Sequence, residues 1–161
     1  MIFVTVGTHE QPFNRLVEYM DKQALEHKEE IIIQTGYSTY EPQIAKWSQF
    51  YPYNSMIKLV EQARIVITHG GPSSFFMPLQ IGKTPIVVPR QYKYNEHVND
   101  HQLKFVKEVE ARMGKIIVVE DVKNLSLVID EYDFMRKKGI STSNNACFCE
   151  NLEKVVDEMF K

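Results

Sequence analysis

Short, unbroken runs of β-branched and apolar residues alternate along this chain with longer segments of helical period. Ile2 to Val6, Ile31 to Thr35, Ile65 to Thr68, Pro85 to Val88 and Lys115 to Val119 read as strands. Runs without polar alternation are the pattern of parallel strands buried on both faces. Between the first two, Phe13, Leu16, Val17 and Met20 share one face of a helix. Met56, Leu59, Val60 and Ala63 do the same ahead of the third strand, and Leu103, Val106, Val109 and Met113 ahead of the last. This alternation predicts an α/β fold, a doubly wound parallel sheet of Rossmann-like type with right-handed crossovers. The 161 residues suit one domain spanning residues 1–161. It closes on an amphipathic helix at about 146–160, striped by Phe148, Leu152, Val155, Val156 and Met159. A weaker strand is expected around Phe50 to Tyr53, with Pro52 counting against it. Gly139 to Asn145 reads as a polar loop.

Composition excludes several classes of partner. A net charge of −2 gives no basic surface for nucleic acid. No apolar run approaches the roughly 20 residues of a membrane span. The N-terminus starts a strand with no basic leader, so no secretory signal is expected. Cys147 and Cys149 are too close in sequence for an unstrained bridge and too few for a zinc site, so they are expected as reduced thiols of a cytoplasmic protein.

In a doubly wound sheet, ligands bind at the carboxyl ends of the strands near the topological switch. The strand-end loops are therefore where chemistry is sought. The stretch Thr68-His69-Gly70-Gly71-Pro72-Ser73-Ser74 follows an apolar strand and runs into a helix, with Pro72 suited to its first position. Outward-facing N–H groups and the positive end of the helix dipole suit a phosphate, and glycines let a diphosphate approach the main chain. His69 offers an acceptor nitrogen or an imidazolium, or simply caps the strand. Pro78 predicts a short or kinked helix.

The first loop, Gly7-Thr8-His9-Glu10-Gln11-Pro12, holds one glycine and lacks the GxGxxG of dinucleotide enzymes. Gly7 allows a tight turn, and the Thr8 hydroxyl suits a cap or a phosphate. His9 reads equally as a site residue or a solvated one, and Glu10 as a solvated one. Thr35 and Gly36 form a strand exit whose glycine takes a positive φ and which can line a site beside the first loop. The fourth loop gathers Arg90, Glu96, His97, Asp100, His101 and Gln102. His97 and His101 would share a helical face, but the HExxH order of a zinc helix is absent. Asp, Asn and Gln at a helix start are sugar-hydroxyl partners and natural caps alike.

Five segments in order carry a family resemblance: Val4-Thr5-Val6-Gly7-Thr8, Gln34-Thr35-Gly36, Thr68-His69-Gly70-Gly71, Gly82-Lys83-Thr84-Pro85-Ile86-Val87-Val88-Pro89 and Asn99-Asp100-His101-Gln102. Together they resemble the C-terminal, donor-binding half of GT-B glycosyltransferases of the family 28 type. The closest likeness is to Alg13-like single-domain subunits, and His9-Glu10-Gln11-Pro12-Phe13 is similar to bacterial versions serving capsule and exopolysaccharide synthesis. The resemblance implies a UDP-sugar donor, an inverting transfer of a hexose (galactose, glucose or glucuronic acid), and no metal or other cofactor. It also implies an Alg14-like, membrane-associated partner that binds a polyprenyl-diphosphate-linked saccharide acceptor and draws a cytoplasmic protein to the inner face of the membrane. Self-association of the isolated chain is compatible with it.

By that resemblance, Gly70, Gly71, Pro72, Ser73 and Ser74 take the diphosphate beside Gly7, Thr8, Thr35 and Gly36. His9 and His69 are the catalytic candidates, as leaving-group electrostatics or, for His9, as the base. Arg90, Glu96, Asp100, His101 and Gln102 approach the donor. In the lipid II-forming enzyme of the family, a glutamate after the glycine loop holds the ribose. Met77 stands there in this chain, followed by Pro78, and Glu96 is the substitute at hand. Two other readings remain at this point, a non-catalytic UDP-binding scaffold of such a complex and a nucleotide-dependent oxidoreductase. The missing GxGxxG and the absence of an acidic residue at Thr35 count against the latter.

Overall fold

The computed structural model describes residues 1–138 and 156–157. Strands β1 (Ile2–Thr5), β2 (Ile31–Gln34), β3 (Lys46–Ser48), β4 (Ile65–His69), β5 (Ile86–Val88) and β6 (Ile117–Val118) form one sheet. Their order is β3-β2-β1-β4-β5-β6, and every neighbouring pair is parallel. Helices α1 (Asn14–Glu26), α2 (Tyr53–Gln62), α3 (Pro72–Gln80), α4 (His101–Met113), α5 (Leu125–Asp130) and α6 (Tyr132–Lys138) cover the two faces. This is the Rossmann-like, doubly wound arrangement that the alternation predicts.

The two-residue period of the strands divides the core. Ile2, Val4, Ile65, Ile67, Ile86 and Val88 pack on one face against Leu16, Val17 and Met20 of α1 and against Leu125, Ile129 and Tyr132. Phe3 and Val66 pack on the other face with Val60 of α2. Val87 lies on that same face with Phe75 of α3 and Phe105, Val106 and Val109 of α4. Buried strands with no polar alternation are what two covered faces require.

Two elements depart from expectation. The strand expected at Phe50 to Tyr53 does not form; Tyr53 opens α2, and the Pro52 carbonyl accepts the Met56 N–H at 2.9 Å. The edge strand lies earlier, at Lys46–Ser48, where its exposed residues give no apolar run. Its approach is fixed by the buried carboxylate of Asp21, which accepts from the N–H groups of Gln43, Ile44 and Ala45 and from the Tyr40 hydroxyl. Beyond Asp130, α6 forms where the periodicity is weak, anchored by the Tyr132 hydroxyl donating to Thr84 O at 2.7 Å. Of the helix expected at 146–160, only Val156 and Asp157 fall within the described residues, and Val156 packs against the α3–α4 cluster. The loop expected at Gly139 to Asn145, with Cys147 and Cys149, lies outside them.

Candidate functional site

The strand order reverses between β1 and β4, and the loops leaving these strands open a crevice at their carboxyl ends. A cavity of about 930 Å³ lies there, the size of a small-molecule site. Its lining divides by origin. The segment from Phe50 through α2 contributes Phe50, Tyr51, Tyr53, Met56 and Val60, joined by Met77 of α3. The loops after β1, β4 and β5 contribute hydroxyls, imidazoles and a guanidinium.

His69, the last residue of β4, is 7% exposed and organises the polar part. Its Nδ1 accepts the Gly71 N–H at 3.1 Å, which puts the ring proton on Nε2, 2.8 Å from Ser74 Oγ. Ser74 then accepts from the ring and keeps its own proton to donate. Burial, reinforced by Arg90, His9 and His97, lowers the His69 pKa to about 3. The ring is therefore neutral at physiological pH, and His69 supplies no imidazolium.

The glycines serve this imidazole first. A Cβ on Gly7 would lie 2.3 Å from His69 Nε2, and one on Gly71 would lie 2.2 Å from its Cε1. A Cβ on Gly70 would lie 2.5 Å from Cγ of Gln102. Gly7 and Gly71 still line the cavity, but the side of each that a Cβ would occupy is filled by the His69 ring, and that of Gly70 by Gln102. The outward N–H groups expected there are also taken: Gly71 donates to His69, and Gly70 donates to Gln102 Oε1 at 3.2 Å. Gln102 Oε1 accepts the Arg90 N–H as well, at 2.7 Å, so its amide joins two loops while lining the cavity. Pro72 has no N–H and occupies the first position of α3, as expected. The first turn of the helix meets the cavity through Ser73 and Ser74, with the positive end of its dipole behind them.

Arg90 is 1% exposed, lines the cavity and makes no salt bridge among the described residues. Its Nη2 donates to the carbonyls of Val6 and Gln11, both at 3.1 Å, and its guanidinium lies over the Phe13 ring at 4.9 Å. Its Nε and Nη1 have no partner among the described residues. Burial lowers its pKa to about 10, partly offset by Glu96, and it remains a cation at neutral pH. Glu96 itself is spent elsewhere: its carboxylate holds Arg15 through Nε at 2.7 Å and Nη2 at 2.9 Å, and accepts the Gln91 N–H. It does not line the cavity, so the ribose substitute suggested by the sequence is absent from this pocket.

The remaining candidates separate as follows. Thr8 and His9 are exposed and line the cavity. Gly36, with the expected positive φ of 55°, backs the first loop, where a Cβ would lie 2.7 Å from Gly7 O; Thr35 is buried beside it and donates to Ser48 O. Neither reaches the cavity wall, whereas Gln34, which the sequence did not single out, does. Asp100 stands at the N-cap of α4 but gives its carboxylate to the Tyr92 N–H at 2.9 Å, and His101 is exposed. His97 lies before α4 rather than on it, so it shares no helical face with His101. It stacks instead on His9, with ring centroids 6.0 Å apart. Among the described residues no three metal-ligating side chains converge.

Comparison with known proteins gives a consistent result. The family model described as glycosyltransferase family 28 C-terminal domain matches residues 1–159. No curated protein matches the chain. Among solved structures, the glycotransferase of kitacinnamycin superposes with a TM-score of 0.58 at 16% identity, over 98% of this chain and 38% of that one. The glycosyltransferase SnogD from Streptomyces nogalater superposes with a TM-score of 0.56 at 17% identity, over 99% of this chain and 39% of that one. The chain thus has the fold of about two fifths of each.

Proposed function

Because the chain belongs to the glycosyltransferase family 28 C-terminal domain family, we propose that it is the donor-binding, catalytic subunit of a two-component inverting glycosyltransferase. The donor is a UDP-hexose, carrying galactose, glucose or glucuronic acid. The acceptor is a polyprenyl-diphosphate-linked saccharide of capsule or exopolysaccharide synthesis, held by a membrane-associated second subunit that recruits this cytoplasmic one.

The observation that carries the reading is Arg90, a buried guanidinium at the cavity wall whose Nε and Nη1 have no partner and which binds no carboxylate among the described residues. Buried polar groups are satisfied in the great majority of cases, and unused cationic donors beside a cavity suit an anion. The hydroxyls of Ser73 and Ser74 at the α3 dipole, and the cluster of imidazoles, carry the same sign of preference. The apolar wall of Tyr51, Met56 and Met77 suits a flat base. A nucleoside diphosphate has both parts.

In such a transfer the acceptor hydroxyl attacks the anomeric carbon as the C–O bond to the diphosphate breaks. Negative charge grows on the departing diphosphate and is met by Arg90, Ser73, Ser74 and the helix dipole, donors already in position. His69 acts through Ser74 as a positioning residue: it fixes which way that hydroxyl donates. No divalent cation is required in this scheme. Calorimetric titration with UDP, UDP-hexoses and NADH, with and without magnesium, tests the reading. Saturable, magnesium-independent binding of UDP and one UDP-hexose is expected. Binding of NADH alone, or of none of them, overturns it.

A further inference from the structure

We propose that His97, paired with His9, is a further anion-contacting residue of this cavity, the two rings holding the donor's diphosphate through their Nε2–H groups. The inference rests on the donor-binding reading above and adds to it a residue that neither the family match nor the motifs single out. Its basis is a bond pattern repeated at each ring. The Gln11 N–H donates to His9 Nδ1 at 3.2 Å, and the Asn99 N–H donates to His97 Nδ1 at 3.4 Å. This is the same two-residue link that Gly71 makes to His69. In each case the backbone N–H takes the Nδ1 lone pair, so the neutral ring carries its proton on Nε2.

At His69 that proton is given to Ser74. At His9 and His97 it has no partner among the described residues, although both rings line the cavity. Two donors from separate loops, stacked at 6.0 Å with an interplanar angle of 29°, thus line the same cavity as Arg90. Every polar group so arranged donates. A metal or a proton would need a ring lone pair, and both Nδ1 lone pairs are engaged. The surroundings agree. Burial lowers the His97 pKa first, and His9 and Arg90 lower it further. Among the described residues Glu10 is the one carboxylate in the lining, and it is exposed.

The test compares phosphate-bearing and phosphate-free ligands on the intact protein and two variants. UDP-hexoses are titrated calorimetrically, and uridine is followed by NMR shifts of the Tyr51 and Met77 amides. Loss of one hydrogen bond to a charged group predicts that His97→Leu weakens UDP-hexose binding about ten- to a hundred-fold while leaving uridine unchanged. His97→Gln, which keeps an N–H near the Nε2 position, recovers most of that loss. Unaltered UDP-hexose affinity in His97→Leu overturns the proposal, as does an equal loss for uridine, which marks a structural role. If the unmodified protein binds no UDP-hexose, the donor reading fails and the pair fails with it; a failure of the pair alone leaves that binding intact.

Discussion

A single imidazole between two glycines sets the geometry of this cavity. Gly7 and Gly71 leave room for His69 that no other residue leaves, since a Cβ at either position meets the ring at under 2.5 Å. Gly7→Ala also forces an L-residue to a φ of 75°. Its cost in urea unfolding is expected to exceed about 2 kcal/mol, the sum of left-handed strain and repacking. Gly82→Ala is the control: its φ is 78° but nothing lies within 4 Å of the added methyl, so only the strain of about 1–2 kcal/mol is expected. The His69 pKa gives a pH-dependent signature. The unfolded ring takes a proton near 6.5 and the folded ring near 3, so between them the unfolded state binds more protons. Stability therefore falls as pH drops below about 6.5, with a contribution approaching 1.4 kcal/mol per pH unit. His69→Asn, which keeps an acceptor for the Gly71 N–H, is expected to remove that contribution from the pH-stability profile. That the glycine loop borders the cavity was legible in the sequence, but its close contact with an imidazole was not. Paired glycines signal close approach of something, and only the fold reveals that His69 and Gln102 come closest.

At the scale of elements, legibility follows burial. The central strands are buried on both faces, so they announce themselves as apolar runs, and helices α1, α2 and α4 show their stripes. Strand β3 has no such signal because it is short, exposed and at the sheet edge. It is defined instead by one side chain on α1. Burial alone would raise the Asp21 pKa, but the N–H groups of Ala45, Gln43 and Ile44 and the Tyr40 hydroxyl together hold it below the usual carboxylate range. The stability this lends is present above the unfolded pKa near 3.8 and is lost as pH falls through the folded value. Asp21→Asn keeps the size but replaces one acceptor with a donor facing backbone N–H groups. It is expected to cost about 2–4 kcal/mol. The single tryptophan, Trp47, lies in β3, so its emission tests the cause directly. A shift of Trp47 emission under native conditions in Asp21→Asn is expected; an unchanged spectrum would separate β3 from the carboxylate.

For the molecule as a whole, the question is which proton acceptor activates the sugar acceptor. The chain has the fold of two fifths of the solved glycosyltransferases it superposes on, and the cavity opens at the carboxyl end of the sheet, beside the switch between β1 and β4. The sequence left His9 open as the base, because a histidine in a strand-end loop satisfies that role on residue type alone. Its hydrogen bond argues otherwise: Nδ1 is engaged by Gln11 and Nε2 carries the proton, so the ring is wired to donate. His69 is closed on both nitrogens. Under the two-component reading, a base on the second subunit fits this geometry, and this chain alone is then expected to bind donor without transferring it. In the assembled enzyme, His9→Gln keeps an N–H where the ring presents one. Loss of a general base costs about a hundred- to ten-thousand-fold in rate, whereas His9→Gln is expected to lower kcat by less than about tenfold. The acidic limb of the kcat–pH profile is the decisive readout. If it persists in His9→Gln, the titrating base is not His9; if it vanishes along with most of kcat, His9 is the base and its ring must turn from the geometry seen here during the reaction.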